Sequence, residues 1–419
     1  MFKLNQSFLL HCLAIIGVSS FSANSLAVDW AVSGFGTLGY TYENDNELAY
    51  RRDSSHVSEI GRNGSFASDS RLGLQLDASF NRQWSLTTQL LLDDSVEHDI
   101  EEIAELAFIR YEPNANWSFR VGRVGVSAYA ASDSRYIDYA HLWVRPPQEL
   151  YSGIAFNTLD GVGASYYSNH PDFNWSVNLE YGQSRQVGEL PTSQENYRTK
   201  LDDVVSVSFE VDQQSWHWQL SYAQVGSLSV QHGASIEALQ NQLTQLASAN
   251  VPQVSSDAAA LSQALSVSQV SGHYLQAAVT YFDGDWTLQS ELFQIRTGKE
   301  SVPQGYGGYA LVGKAFDKLT PYIIYGQFKS STSPHSFPAN NAWAPLLNAG
   351  VLGVNAVRID QSTYSLGVRW DISPQVAIKA QLDHVEIDEN GYGLWVTSLS
   401  DIGQANDVQL YSLHLNFVF

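Results

Sequence analysis

The chain has 419 residues, 22 basic and 43 acidic side chains, and a formal charge of −21. This acidity argues against a nucleic-acid partner. Mean hydropathy is −0.18, and after the first thirty positions no run of about eighteen apolar residues occurs, which excludes transmembrane helices but not strands that spend half their residues on a polar lumen.

Met1-Phe2-Lys3 gives a basic start, and residues 8–18 form an apolar core. Ser25-Leu26-Ala27 supplies the small residues of a cleavage site. Residues 1–27 therefore read as a secretory signal peptide cut after Ala27. Export removes Cys12, the sole cysteine, and Lys3, so the mature chain is thiol-free with a charge of −22. Disulfides and thiol chemistry are excluded.

Residues 28–419 read as strand, long loop, strand, short turn, repeated. Val32 to Tyr42 is the first strand, with Phe35 assigned to the outer side, and the acidic stretch Glu43 to Ser68 is a long loop. From Ser70 to Phe80, Leu72, Leu74, Leu76, Ala78 and Phe80 share one face against Arg71, Gly73, Gln75, Asp77 and Ser79. Such alternation marks a strand between an apolar and a polar medium. After the Asn81-Arg82-Gln83 turn, Trp84, Leu86, Leu90 and Leu92 continue the apolar face. The unit recurs through turns at Pro113–Asn116, Asn169–Asp172, Asp212–Gln214, Asp283–Asp285, Asp317–Lys318 and Asp371–Pro374. Trp84, Trp117, Trp175, Trp216, Trp286 and Trp370 flank these turns. A ring of indoles at one level is the form of an aromatic girdle at a membrane interface.

Three long connections stand out. Residues 124–152 form the third loop, and residues 227–271 the fifth. In the fifth, Ile236, Leu239, Leu243 and Leu246 share a helical face, and Ala258, Leu261 and Leu265 suggest a second helix after Pro252. This insert is either a helical hairpin at the pore mouth or a surface insertion. The seventh, Ser331 to Val357, reads as an ordered loop. The last strand, Asp407 to Phe419, puts Tyr411, Leu413, Leu415, Phe417 and Phe419 on one face and Ser412, His414 and Asn416 on the other.

The fold class is all-β: a transmembrane antiparallel barrel of about sixteen strands, an even number wide enough for an aqueous lumen. The signal peptide, the alternating strands, the long third loop and terminal Phe419 resemble the Gram-negative trimeric porins. Within that superfamily, Val121-Gly122-Arg123-Val124-Gly125, Trp143 to Tyr151 and Leu159-Asp160-Gly161-Val162 resemble a group of proteobacterial porins. The resemblance implies an outer-membrane homotrimer among lipid and lipopolysaccharide, passing small hydrophilic solutes and ions without cofactor or metal. It also implies an inward-folded third loop, offering Asp133, Arg135, Asp138, Arg145 and Glu149. Opposite stand the wall positions Arg71, Arg120, Arg369 and Lys379, joined by Arg123 at the loop entrance. Opposed charges across a wet pore create a transverse field that favours water and dipolar solutes.

Competing classes are a substrate-selective channel gated by the fifth-loop insert, a barrel hydrolase and an adhesin. His217, His273, His384 and His414 scatter around the wall, none beside a serine in a nucleophile elbow, and no HExxH or glycine-rich phosphate loop occurs. The chain reads as a non-enzyme. An energy-coupled receptor needs an amino-terminal plug domain, and the first strand begins almost directly after the leader.

Overall fold

The structure, a computed structural model, describes residues 28–61, 63–153, 156–192, 195–336, 341–398 and 402–419. The signal peptide expected over residues 1–27 lies outside the described residues, as do residues 337–340 of the seventh loop.

Sixteen long strands make one closed sheet. They are β1 (Asp29–Glu43), β2 (Arg71–Ser79), β3 (Trp84–Leu92) and β4 (Ala104–Asn114). Next come β5 (Trp117–Gly125), β6 (Thr158–His170), β7 (Phe173–Glu189) and β8 (Asn196–Gln213). Then follow β9 (Trp216–Gln231), β10 (Val270–Phe282), β11 (Trp286–Arg296) and β12 (Gly305–Lys314). The last are β13 (Leu319–Ser330), β14 (Ile359–Ser373), β15 (Val376–Tyr392) and β16 (Asn406–Val418). Each pairs antiparallel with the next, and β16 pairs with β1 to close the barrel. Closure leaves no unpaired edge.

Alternation sorts the faces. On β16, Leu413 is 56% exposed whereas His414 and Asn416 are fully buried inside. Outward Leu220, Leu292 and Ile323 are likewise more than half exposed. A continuous belt of bare aliphatic side chains is stable against hydrocarbon and not against water. Ala78 faces outward yet is buried, between its larger cross-strand partners Trp30 and Leu86. At the turn end, Trp84, Trp117 and Trp216 pack against Tyr111, Tyr166 and Tyr281 on the next strand, with ring centroids 4.5, 4.9 and 4.7 Å apart. The tight turns use positive φ at Gln214 (54°), Gly284 (99°) and Asp317 (57°).

Phe35 does not face outward. It is buried within the lumen, its ring against Gly73. The outward positions beside it are Gly34 and Gly36, whose bare backbone is covered by the rings of Phe419 and Phe417. Phe419 and Gly34 also exchange two backbone hydrogen bonds, of 2.9 and 3.0 Å. A Cβ on Gly34 would lie 2.3 Å from the Phe419 ring. Gly34→Val is therefore expected to lower the fraction of heat-modifiable, folded barrel on gels. Val32→Leu, on the same face, serves as the control and is expected to fold normally.

Two predicted helices are present between β9 and β10: α1 (Ala234–Ala247) and α2 (Val254–Leu265). A third, α3 (Ala344–Asn355), lies in the seventh loop, where the sequence reading has no helix. Gly350 and Gly353 interrupt its apolar pattern, and glycine is a poor helix former. Packing decides instead: a Cβ at Gly350 would sit 3.1 Å from Leu261 and 3.2 Å from Leu243. The three helices share a core that includes Leu243, Ala258, Leu261, Leu265, Leu347 and Val351.

Candidate functional site

The segment between β5 and β6 folds into the lumen. Trp143, Leu150, Tyr129 and Tyr151 on it are each at most 2% exposed. The segment carries a 3-10 turn at Asp138–Ala140, and Pro146-Pro147 leads into a helical turn at Gln148–Tyr151. Apolar bulk of this size excludes water, so every charge beside it must find a partner.

Arg145 is the centre of one network. Its guanidinium donates to Asp383 at 2.7 Å, to Asp69 at 3.2 Å and to Thr41 at 2.9 Å, with a further bond to Ser412. Asp69 also accepts from Thr41 (2.6 Å) and Tyr50 (3.1 Å). Asp138 accepts from Arg52 at 3.0 Å and Thr37 at 2.8 Å, with Arg71 Nε at 3.7 Å. Burial would raise the Asp138 pKa, but Arg52 and Arg71 outweigh it and hold the carboxyl at about 2. Lys379 donates to the backbone carbonyls of Asp138 and Trp143.

A second network holds the other shoulder of the loop. Buried Glu291 on β11 accepts from the hydroxyls of Tyr151 and Tyr309, both at 2.6 Å. It also accepts from Gln276 at 2.8 Å and the Ala130 amide at 3.1 Å. Glu149 accepts from Gln361 at 2.8 Å and from Thr363. Burial pushes the Glu149 pKa up.

The predicted residues divide accordingly. Asp138, Arg71 and Lys379 come together, buried and paired rather than ranked across the pore, and Arg145 joins them through Asp69 and Arg52. Arg135 is buried beside Tyr136 and 3.9 Å from Asp53. Arg369 pairs with Asp371 and donates to the loop carbonyls of Tyr139 and His141. Arg120 is partly exposed and bonds Glu180 at 3.2 Å. Arg123 does not join it: the two lie in opposite strand phases, and Arg123 pairs with Asp160 at 2.8 Å near the loop end. Asp133 is exposed and stands apart from the buried network.

Sequence reasoning missed the first loop. Leu48, Tyr50, Arg51 and Arg52 are buried, so this stretch folds inward rather than standing wholly in solvent. The signal was the Arg51-Arg52 pair inside an otherwise acidic run. Two short strands, Leu48–Ala49 and Val396–Thr397, pair to tie it to the last loop. Asp383 and Glu291 were missed because their partners are distant in sequence.

His56 pins the first loop to the second, between Asp53 at 2.9 Å and Asp93 at 3.3 Å. Burial would lower its pKa, but the two carboxylates outweigh that and raise it to about 10. A raised pKa stabilises the fold fully below the unfolded value of about 6.5 and ceases to as pH rises through about 10. Protection factors across residues 53–58, which discount the intrinsic base catalysis of amide exchange, are expected to fall over that window, and His56→Gln is expected to remove that fall.

No family model matches the sequence, and no curated protein matches it. Solved structures do. The anion-selective porin from Comamonas acidovorans aligns over 94% of this chain and 100% of its own, at TM-score 0.50 and 12% identity. OmpF of Salmonella typhi, solved with daunomycin, aligns over 93% of this chain and 97% of its own, at TM-score 0.52 and 10% identity. The closed sixteen-strand barrel of this chain has the fold of the outer-membrane porins.

Proposed function

We propose that the protein is an outer-membrane channel that lets small hydrophilic solutes and ions diffuse down their gradients, without turnover and without a cofactor. The observation that carries this reading is the third loop seated in the lumen and bonded to the wall from both shoulders. A loop so placed narrows a wide barrel to a selective passage. Partly exposed Arg110 and Arg120, with exposed Asp133, lie where solvent still reaches the lumen, and they supply its charge selectivity. Export by a cleaved leader and assembly as a homotrimer in lipid and lipopolysaccharide belong to the same reading.

Conductance of the purified protein in a planar bilayer under a salt gradient tests it. Stepwise openings are expected, and Arg120→Gln is expected to move the reversal potential towards cations. Folded protein with no conductance would overturn the reading.

A second reading, a substrate-selective channel gated from outside, is favoured by the helical cap. Loop 299–304 reaches α2, where Lys299 donates to the Gln263 carbonyl at 3.0 Å and Ser301 to that of Ala264 at 2.6 Å. Excising residues 234–265 raises conductance if the cap gates and leaves it unchanged if it does not.

A further inference from the structure

The mouth of the barrel holds a cavity of about 190 Å³ that the charged networks do not use. Its walls come from neighbouring strands of one sector of the barrel and from the loops above. Leu201, Val225 and Ile295 contribute from the inner faces of β8, β9 and β11, and Phe156, Leu190 and Leu394 from the loops. All six are buried or nearly so. Apolar side chains on the inner face contradict the pattern of a wall built only for water-borne ions. An apolar cavity of roughly 150 Å³ takes a benzene-sized guest, so this open and mainly apolar one has room for an aromatic ring or a short branched chain.

Arg51 lines the same cavity. It is 2% exposed, and three of its five N–H groups go to backbone carbonyls: Glu189 at 2.6 Å, Gly393 at 3.2 Å and Leu394 at 3.4 Å. Among the described residues no carboxylate stands within ion-pair distance of it. Neighbouring Arg52, by contrast, has both Asp69 and Asp138. A buried guanidinium whose direct partners are backbone dipoles, with Glu189 and Asp53 acting on it only from beyond ion-pair distance, attracts an anion.

We infer that this cavity is a binding site for a small organic monocarboxylate with an apolar body, its ring or branched chain among the side chains and its carboxylate towards Arg51. This deepens the channel reading by naming a solute class, and it rests on that reading only for the claim that the ligand is transported. Binding is measured without flux, so the two stand or fall separately.

The test is calorimetric titration of the detergent-solubilised full-length barrel with benzoate, benzyl alcohol and acetate. Benzoate is expected to bind tightest. Benzyl alcohol, which keeps the ring and loses the charge, is expected to bind roughly tenfold or more weakly, and acetate still more weakly. Arg51→Gln is expected to bring benzoate to the level of benzyl alcohol. Val225→Trp fills the cavity and is expected to abolish binding of both. Ala223→Leu narrows it by less, for use where the larger change prevents folding. No benzoate binding to folded wild-type protein overturns the site, as does unaltered binding in a folded cavity-filling variant. Equal affinity for benzoate and benzyl alcohol overturns the carboxylate assignment. Binding without conductance supports the site and overturns the channel.

Discussion

Replacing Arg145 with alanine is expected to cost about 3–5 kcal/mol of stability, the range for breaking a buried ion pair from one side. Asp69 and Asp383 would be left buried and without this guanidinium, and the Thr41 and Ser412 hydroxyls would lose an orienting donor. Some of that cost is recoverable, because Asp69 keeps Arg52 at 3.4 Å. Arg145→Lys retains a positive charge but not the fork that spans both carboxylates, so it falls between alanine and wild type. The midpoint of denaturant unfolding in detergent reads the stability. Single-channel recording reads the function, where a loosened loop is expected to give larger and noisier currents. A variant as stable and as quiet as wild type would remove Arg145 from the anchorage.

Glu291→Ala is expected to be the other severe change. It strands the hydroxyls of Tyr151 and Tyr309, the Gln276 amide and the Ala130 N–H. A buried donor left unmatched costs about 1–3 kcal/mol, though the four share one site and do not simply add. Glu291→Leu tests whether volume alone suffices and is expected to remain destabilised, since it supplies no acceptor. Glu291 and Asp383 stand on β11 and β15, in different sectors of the wall. The Arg145→Ala and Glu291→Ala losses are therefore expected to add to within about 0.5 kcal/mol. A larger interaction energy would mean that the loop moves as one rigid body.

The separation between these networks explains what was legible in the sequence. Tyr411, Leu413 and Leu415 against Ser412, His414 and Asn416 state the barrel outright, because a strand's faces are set by neighbours two residues apart. The turns at Asn81–Gln83 and Asp283–Asp285 and the tryptophans beside them are equally local. So are α1 and α2, whose apolar positions repeat at helical spacing. Helix α3 was not legible, because its glycines are favoured only once Leu243 and Leu261 stand against them.

The charged residues fall on the other side of that line. That Asp138 and Arg145 would reach the wall follows from a family resemblance, but not which groups they would meet. Arg145 bonds Asp383, 238 positions away in the chain, and no periodicity records such a pairing. Phe35 was misplaced for a different reason: Val32, Leu38, Tyr40 and Tyr42 set the outward phase of β1, and Phe35, out of step with them, belongs to the inner face by local alternation alone. A closed barrel with an apolar exterior could be read from residue order alone, because that pattern is local and repeated. The inward fold of the third loop, the first loop packed against it and the apolar cavity at the mouth became visible only in three dimensions. Those outcomes depend on which distant side chains share one water-poor interior, where each charge must be matched.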